Sequence, residues 1–533
     1  MHFSSSYHSY KSTGLFSKLV TDYIAGDEKI EKYFSYNADN EGIAKSIENR
    51  KSYKNNRGLL VEGLQEMYSS VSISDKVSRN IHSLLSENTF TVCTAHQPNI
   101  FTGHLYFIYK IVHAIKLADD LNEKYPDLHF VPVYFMGSED ADLEELGEVV
   151  VDGKKYNWQT DQKGAVGRMK IDAQFVALID ELDQQLAGRK YSEEIISKIR
   201  ETYTINKNID KSTFEFVNQL FGKYGLVVFI PDHPRYKNEC KSIFKQELEQ
   251  QFSSKILADT LKDFPAEYKI QTKGRDINLF YLQENSRERI EKTETGFSVA
   301  NTNLSFTKDA ILNELDQFPE RFSPNVILRP LVQELLLPNV AFIGGGGELA
   351  YWLELKKIFE VASVHYPVLI LRNSFMMIDA KAMSEIQKLS LQPEDFFLSV
   401  LDISNKYIKI TTSHQLQLVE EKTKMLALYD QVAKVVGNTD ITLAEHASAL
   451  KTKAINLLNE LEKKQMRAGR RKAADAIHKI EKIKNTLFPG GVLQERVENV
   501  LAFYATYGEN FIENIYLHSK PIEQQFCLLG IPE

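Results

Sequence analysis

Phe90-Thr91-Val92-Cys93-Thr94-Ala95 runs through His96-Gln97-Pro98-Asn99-Ile100-Phe101-Thr102-Gly103-His104 into Leu105-Tyr106-Phe107-Ile108-Tyr109-Lys110-Ile111-Val112-His113-Ala114-Ile115-Lys116-Leu117-Ala118. The first six residues form a short, β-branched apolar run, the pattern of a strand covered on both faces. The last fourteen have the length and apolar period of a helix. Phe130-Val131-Pro132-Val133-Tyr134-Phe135-Met136 then repeats the strand pattern. Strand, helix and strand with short joins form a βαβ unit and predict a parallel sheet.

Further strand candidates are Leu226–Ile230, Ala341–Ile343 and Pro367–Leu371, with helical patterns between them. The expected fold class is α/β, a Rossmann-type doubly wound parallel sheet core with connecting insertions. The insertions fall near 150–215, polar and helical after Asp172, and near 265–325. The second alternates apolar and polar positions at Phe297–Ala300 and Leu304–Phe306, which predicts antiparallel strands. Residues 1–415 are thus expected to form the core, 416–488 a helical arm, and 489–533 a segment packing back on the core.

In the arm, Leu443, Ala447, Leu450, Ala454, Leu457 and Leu461 are spaced by fours and threes, and Ala473, Ala476, Ile480, Ile483 and Leu487 are then spaced by threes and fours up to Pro489-Gly490-Gly491. This is a heptad seam. One continuous helix over it would reach about 67 Å. With 416–436 as its partner it predicts an antiparallel coiled-coil hairpin, which either braces the fold or pairs two copies of the chain; a homodimer is expected. The basic run Lys463–Lys472 on this helix could attract a phosphate-bearing ligand or RNA, but such a run is more often a solvated face or an interface with an acidic surface.

The chain has 533 residues, 43% hydrophobic and 26% charged, enough for two to four domains. Lys plus Arg is 64 against 72 Asp plus Glu, a net charge of −8, which argues against a nucleic-acid partner. Cys93, Cys240 and Cys527 form no CxxC pair, so neither a disulfide framework nor a cysteine zinc site is expected. Without a signal-peptide pattern or an 18-residue apolar run, the expected place is the cytoplasm, with no membrane contact.

Three segments at strand ends carry candidate chemistry, because ligands in open parallel sheets bind at the carboxyl ends of strands. In the first, His96 and His104 can donate to an anion or shuttle protons, or make structural hydrogen bonds. In the second, Gly137-Ser138-Glu139-Asp140-Ala141-Asp142-Leu143-Glu144-Glu145, the acids either hold an amine or Mg²⁺ or act as a base, or they cap a helix. The third, Ile343-Gly344-Gly345-Gly346-Gly347-Glu348-Leu349-Ala350-Tyr351, lets an anion approach exposed backbone N–H groups. Arg329, Arg372 and Ser374 lie at equivalent edges. GxGxxG, GxxxxGK[ST] and HExxH are all missing, and no Ser/His/Asp order stands out.

Together, TAHQPNIFTGHLYFIYK (94–110), PVYFMGSEDADLEEL (132–146), TDQKGAVGRM (160–169), FSPNVILRPLVQELLLPNVAFIGGGGELAYWLELK (322–356) and LQERVENVLAFYATYG (493–508) resemble the bacillithiol synthase family over nearly the whole chain. The resemblance implies a core related to nucleotidylyl transferases and class I synthetases, and a coiled-coil arm pairing subunits. It implies a ligase joining the cysteine carboxylate to the amine of glucosaminyl-malate. It implies ATP or ADP as cofactor, with Mg²⁺ alongside. His96, Glu139, Asp140 and Asp142 then become the catalytic candidates, and Gln97, Asn99, His104, Gly344, Gly345, Gly346 and Gly347 the cofactor contacts. Glu348, Tyr351, Arg329, Arg372 and Ser374 become the substrate contacts. Another ATP-dependent ligase or nucleotidyl transferase of the same superfamily, and a non-catalytic coiled-coil scaffold, are the alternatives.

Overall fold

The structure is a computed structural model describing residues 3–412 and 417–532. It divides into two units, one of residues 1–376 and 493–527, the other of 377–492 and 528–533. The boundary expected at 415–416 lies outside the described residues.

The first unit is built on five parallel strands, β1 (Thr89–His96), β2 (His129–Met136), β3 (Val227–Phe229), β4 (Asn339–Gly344) and β5 (Val368–Leu371). Their order across the sheet is β5-β4-β1-β2-β3. Every residue of β1 is buried, which is why the strand reads as an unbroken apolar and threonine run. Pro132 sits inside β2 without disrupting it, because pairing with β3 begins only at Val133. Helix α1 (Leu105–Lys124) follows β1 and packs on β1 and β2, while α2 (Gly346–Ala362) follows β4 and leads to β5. The chain proceeds from β1 toward β2 but from β4 toward β5, so the winding reverses between β1 and β4. That is the switch point where a doubly wound sheet opens a crevice.

Two insertions flank the sheet. Between β2 and β3 lie an antiparallel hairpin (148–151 with 154–157) and helices over 173–186, 192–202 and 209–221. Between β3 and β4 lie five helices, over 234–239, 241–250, 252–262, 308–317 and 329–336, and an antiparallel meander, 279–283, 286–292, 297–299 and 305–306, with 322–324 on its other edge.

In the second unit, α3 (Val419–Gly437) and α4 (Ile441–Lys472) form the hairpin, tied by Lys422–Glu462 and Lys451–Asp430 ion pairs. The seam is not one helix. It breaks at Ala473, whose φ of −98° and ψ of 19° end α4 before α5 (Ala474–Leu487) starts. The two halves differ in burial. Ile480, Ile483 and Leu487 of α5 are buried, whereas Leu443, Leu450, Leu457 and Leu461 of α4 and Leu426, Leu428, Val432 and Val435 of α3 are exposed. No helix among the described residues is long and apolar enough to cross a membrane.

Candidate active site

A cavity of about 620 Å³ opens at the switch point, lined from the carboxyl ends of β1, β2, β4 and β5 and from the second insertion. Eight lysines and arginines face it against three carboxylates, Glu139, Asp140 and Glu348. His96, at the end of β1, is buried between Tyr106 and Phe107 of α1. Burial, then Lys110, His104 and Arg372, hold its pKa well below the ordinary histidine value, so the ring is neutral near pH 7. Its Nε2 is buried with no partner.

Across the cavity the four-glycine turn leads into α2. Glu348 Oε2 accepts the Gly345 N–H at 2.8 Å and pairs with Lys110 Nζ, which also donates to the Ala95 carbonyl at 2.8 Å. The amides of Gly346 and Gly347 belong to the first helical turn, where no intrahelical acceptor exists. A Cβ at Gly347 would meet open space, so the turn leaves room for a ligand rather than filling a tight fit. Arg372 is 3% exposed and held by Glu495, its Nη2 2.6 Å from Oε1. Ser374 Oγ supports the same pair, accepting from Arg372 Nη1 at 3.0 Å. The remaining donor of Arg372, Nε, has no partner and lies beside Gly345. His96 and Arg372, each with an unpartnered buried side-chain nitrogen, thus line one cavity with a helix N-terminus, a set suited to receive an anion.

At the β2 edge, Glu139 is ion-paired with Lys237, which also donates to the Phe322 carbonyl at 2.7 Å. Burial pushes the Glu139 carboxyl above its usual range, and Lys237 pulls it back. Asp140 accepts from Gln97 Nε2 at 3.2 Å. Asp142 does not face the cavity. Its Oδ1 accepts the Glu145 N–H at 3.1 Å, so it caps the short helix Leu143–Leu146. Tyr351 OH accepts from Arg329 Nη2 at 3.1 Å.

Asn99, His104 and Gly344 lie outside the cavity lining. Gly344 belongs to β4, its carbonyl accepting from the Arg372 N–H. Asn99 and His104 belong to the loop that sets His96. There Phe101 (φ 49°), Thr102 (φ 72°) and Gly103 (φ 65°) all take left-handed backbone conformations, a strain that persists only where the surroundings impose it. Asn499 imposes it by donating Nδ2 to the carbonyls of Phe101 and Gly103.

Sequence reading missed Tyr106, Lys110, Lys237, Arg287, Glu495 and Arg496. Lys110 had a signal, a lone charge inside the apolar run of α1. The others become site residues only through chain-distant contacts.

Behind the site, Asp210 is buried, and burial followed by Asp232 pushes its carboxyl up to about 7. An acid raised in the folded state keeps its proton after the unfolded chain has lost it, so stability drains away as pH rises from the unfolded to the folded value. Asp210→Asn removes that share. Between about pH 6 and about pH 8 the variant should gain about 1.4 kcal/mol on the parent, read by urea unfolding of both. The buried histidines titrate alike in the two proteins and cancel. A variant–parent difference that does not grow with pH would place the proton elsewhere.

The comparisons agree on one family. Residues 3–373 match the description "Bacillithiol biosynthesis BshC, N-terminal Rossmann-like domain", and residues 375–531 match "Bacillithiol biosynthesis BshC, C-terminal coiled-coil domain". A candidate cysteine ligase BshC from Flavobacterium johnsoniae is 35% identical over 98% of this chain and 99% of its own length. Another from Christiangramia forsetii is 36% identical over 98% of both chains. One from Bacillus cytotoxicus is 27% identical over 93% of this chain and 95% of its own.

Proposed function

The chain belongs to the bacillithiol-biosynthesis BshC family, and from that premise we propose how its cavity works. The protein is a ligase of bacillithiol biosynthesis that adds L-cysteine to glucosaminyl-malate. The reaction forms an amide between the cysteine carboxylate and the sugar amine, so the carboxylate must be activated and the amine must lose a proton.

The observation that carries our reading is that His96 and Arg372, each with an unpartnered buried nitrogen, line one cavity with the Gly345–Gly347 turn. These donors fit a phosphate group, and we assign them to ATP, which supplies the activation when bound. His96 and Arg372 then hold the charge that develops on the activated carboxylate or its leaving group. Glu139 and Asp140 face the sugar amine, and the raised Glu139 carboxyl is suited to take its proton. Three free, buried cysteines suit a reducing cytoplasm. The exposed apolar residues of α3 and α4 suit a second copy of the chain. Sedimentation should find a dimer that Leu457→Glu with Leu461→Glu converts to monomer; a monomeric parent at micromolar concentration would remove this part.

The test of the reaction is mass spectrometry of protein, cysteine, glucosaminyl-malate and ATP·Mg²⁺, with ATP-free and EDTA-treated arms. Bacillithiol exceeding the enzyme, only where ATP is present, is expected. Folded protein giving no product would overturn this reading of the cavity. Product without ATP would overturn its nucleotide part, and product in EDTA would remove the Mg²⁺ requirement.

A further inference from the structure

Three of the eight lysines and arginines facing the cavity are cancelled within the protein. Lys110 has Glu348, Lys237 has Glu139 and Arg372 has Glu495. Of the other five, Lys273, Arg275 and Arg496 are exposed, whereas Arg287 and Arg329 are half-buried guanidiniums. Arg287 donates Nε to Ser323 Oγ at 3.1 Å and Nη2 to the Pro324 carbonyl at 3.0 Å, and lies 3.9 Å over the Phe280 ring. Arg329 donates Nη1 to Gln333 Oε1 at 2.9 Å and Nη2 to Tyr351 OH. Neutral groups fix both in place, and neither forms an ion pair among the described residues. Glu139, Asp140 and Asp232 reach Arg287 only through space.

Both side chains are half-buried, and a partly desolvated guanidinium without a paired carboxylate is completed by an anionic ligand. Stacking and two fixed donors leave the rest of the Arg287 fork pre-organised toward the cavity, the arrangement that suits a planar carboxylate. Two such forks on one cavity call for a ligand with two anionic groups. The acceptor has that chemistry, because its malyl group carries two carboxylates.

We propose that Arg287 and Arg329 are the specificity-determining clamp for the two malyl carboxylates of the acceptor. The clamp rests on the ligase reading above. It fixes the acceptor's orientation, with the malyl end on the insertion side and the sugar amine toward Glu139 and Asp140. It also explains why the second insertion lines the cavity, since Arg287, Phe280 and Pro324 all come from it. Phosphates of a nucleotide share this anionic chemistry, so the experiment must separate the two sources.

The measurement is steady-state kinetics of the parent, Arg287→Gln, Arg287→Lys and Arg329→Gln, with glucosaminyl-malate and with methyl glucosaminide, which has no carboxylate. Calorimetric binding of glucosaminyl-malate accompanies it and needs no turnover. Arg287→Gln should raise KM and Kd for glucosaminyl-malate about 30- to 100-fold, as expected for hydrogen bonds to a charged group. The parent's preference for the malyl acceptor over methyl glucosaminide should collapse by the same factor. Arg287→Lys should fall between, keeping charge but losing the fork. KM for ATP and for cysteine should stay within about threefold. A rise in KM for ATP instead would assign the forks to phosphate and overturn the clamp. Equal losses with both acceptors, together with a lowered thermal midpoint, would make Arg287 structural and overturn it too. If the parent makes bacillithiol while Arg287→Gln keeps its acceptor affinity, the clamp fails and the ligase reading stands. If the parent binds glucosaminyl-malate through Arg287 yet yields no product, the clamp stands and the catalytic reading fails.

Discussion

Glu139→Ala should destabilise the protein by about 3–5 kcal/mol, the usual loss when one partner of a buried ion pair is removed. The Lys237 side chain is 2% exposed and that of Glu139 10%. Without Glu139, Lys237 keeps a single carbonyl partner, Phe322, and its charge is stranded in a dry environment. A carboxylate that served only the chemistry could be replaced at a nearly unchanged thermal midpoint, but the buried Lys237 ties Glu139 to the fold as well. Activity and stability should fall together, so the single variant cannot separate them. Glu139→Ala with Lys237→Met can, because an apolar side chain of similar length removes the stranded charge. Denaturant unfolding should show most of the lost stability regained in the double variant, while bacillithiol formation stays abolished. A single variant that unfolds at the parental denaturant midpoint would mean that the pair contributes no net stability. Recovery of activity in the double variant would remove Glu139 from the chemistry.

The parts of this molecule that were legible share one property: their information is local. β1, α1, β2 and β4 are covered on their faces, so each announces itself as an apolar run of fitting length. The crevice follows from strand order, because 96–104 and 344–347 are the loops at the two strands beside the switch point. Partners across the chain are different. Lys237 is 98 residues from Glu139, and Glu495 is 123 from Arg372, so no window of sequence shows them together. The same holds for Arg287, which sits in an alternating strand and looks like any solvent-facing arginine. Asp142 illustrates a genuine ambiguity, since acids before a helix suit a cap and a metal equally, and only the 3.1 Å contact to the Glu145 N–H decides it. The break at Ala473 has only a weak local signal: alanine is a strong helix former, but the seam stops at Leu461 and resumes at Ala473, where continued threes and fours would place it at 471 or 475.

His96→Leu should lower kcat about 10²- to 10³-fold, the range for removing one donor to developing charge, while the thermal midpoint holds or rises. The two halves of this expectation have one cause. A buried polar atom without a partner is a burden on the folded state, and His96 Nε2 is such an atom. Leucine keeps roughly the volume between Tyr106 and Phe107 and removes the unpaired nitrogen. The loop supports the same conclusion, because left-handed Phe101 and Thr102 are also unfavourable and are held by Asn499. A protein keeps such features at a site where the groups have a task that folding does not provide. Turnover and thermal unfolding of the same preparation decide the matter. A midpoint lowered by many degrees with kcat within tenfold of the parent would make His96 a core histidine and leave the Arg372–glycine turn to hold the anion alone. The expected result, a catalyst lost from a protein at least as stable, is one that a packing role cannot produce.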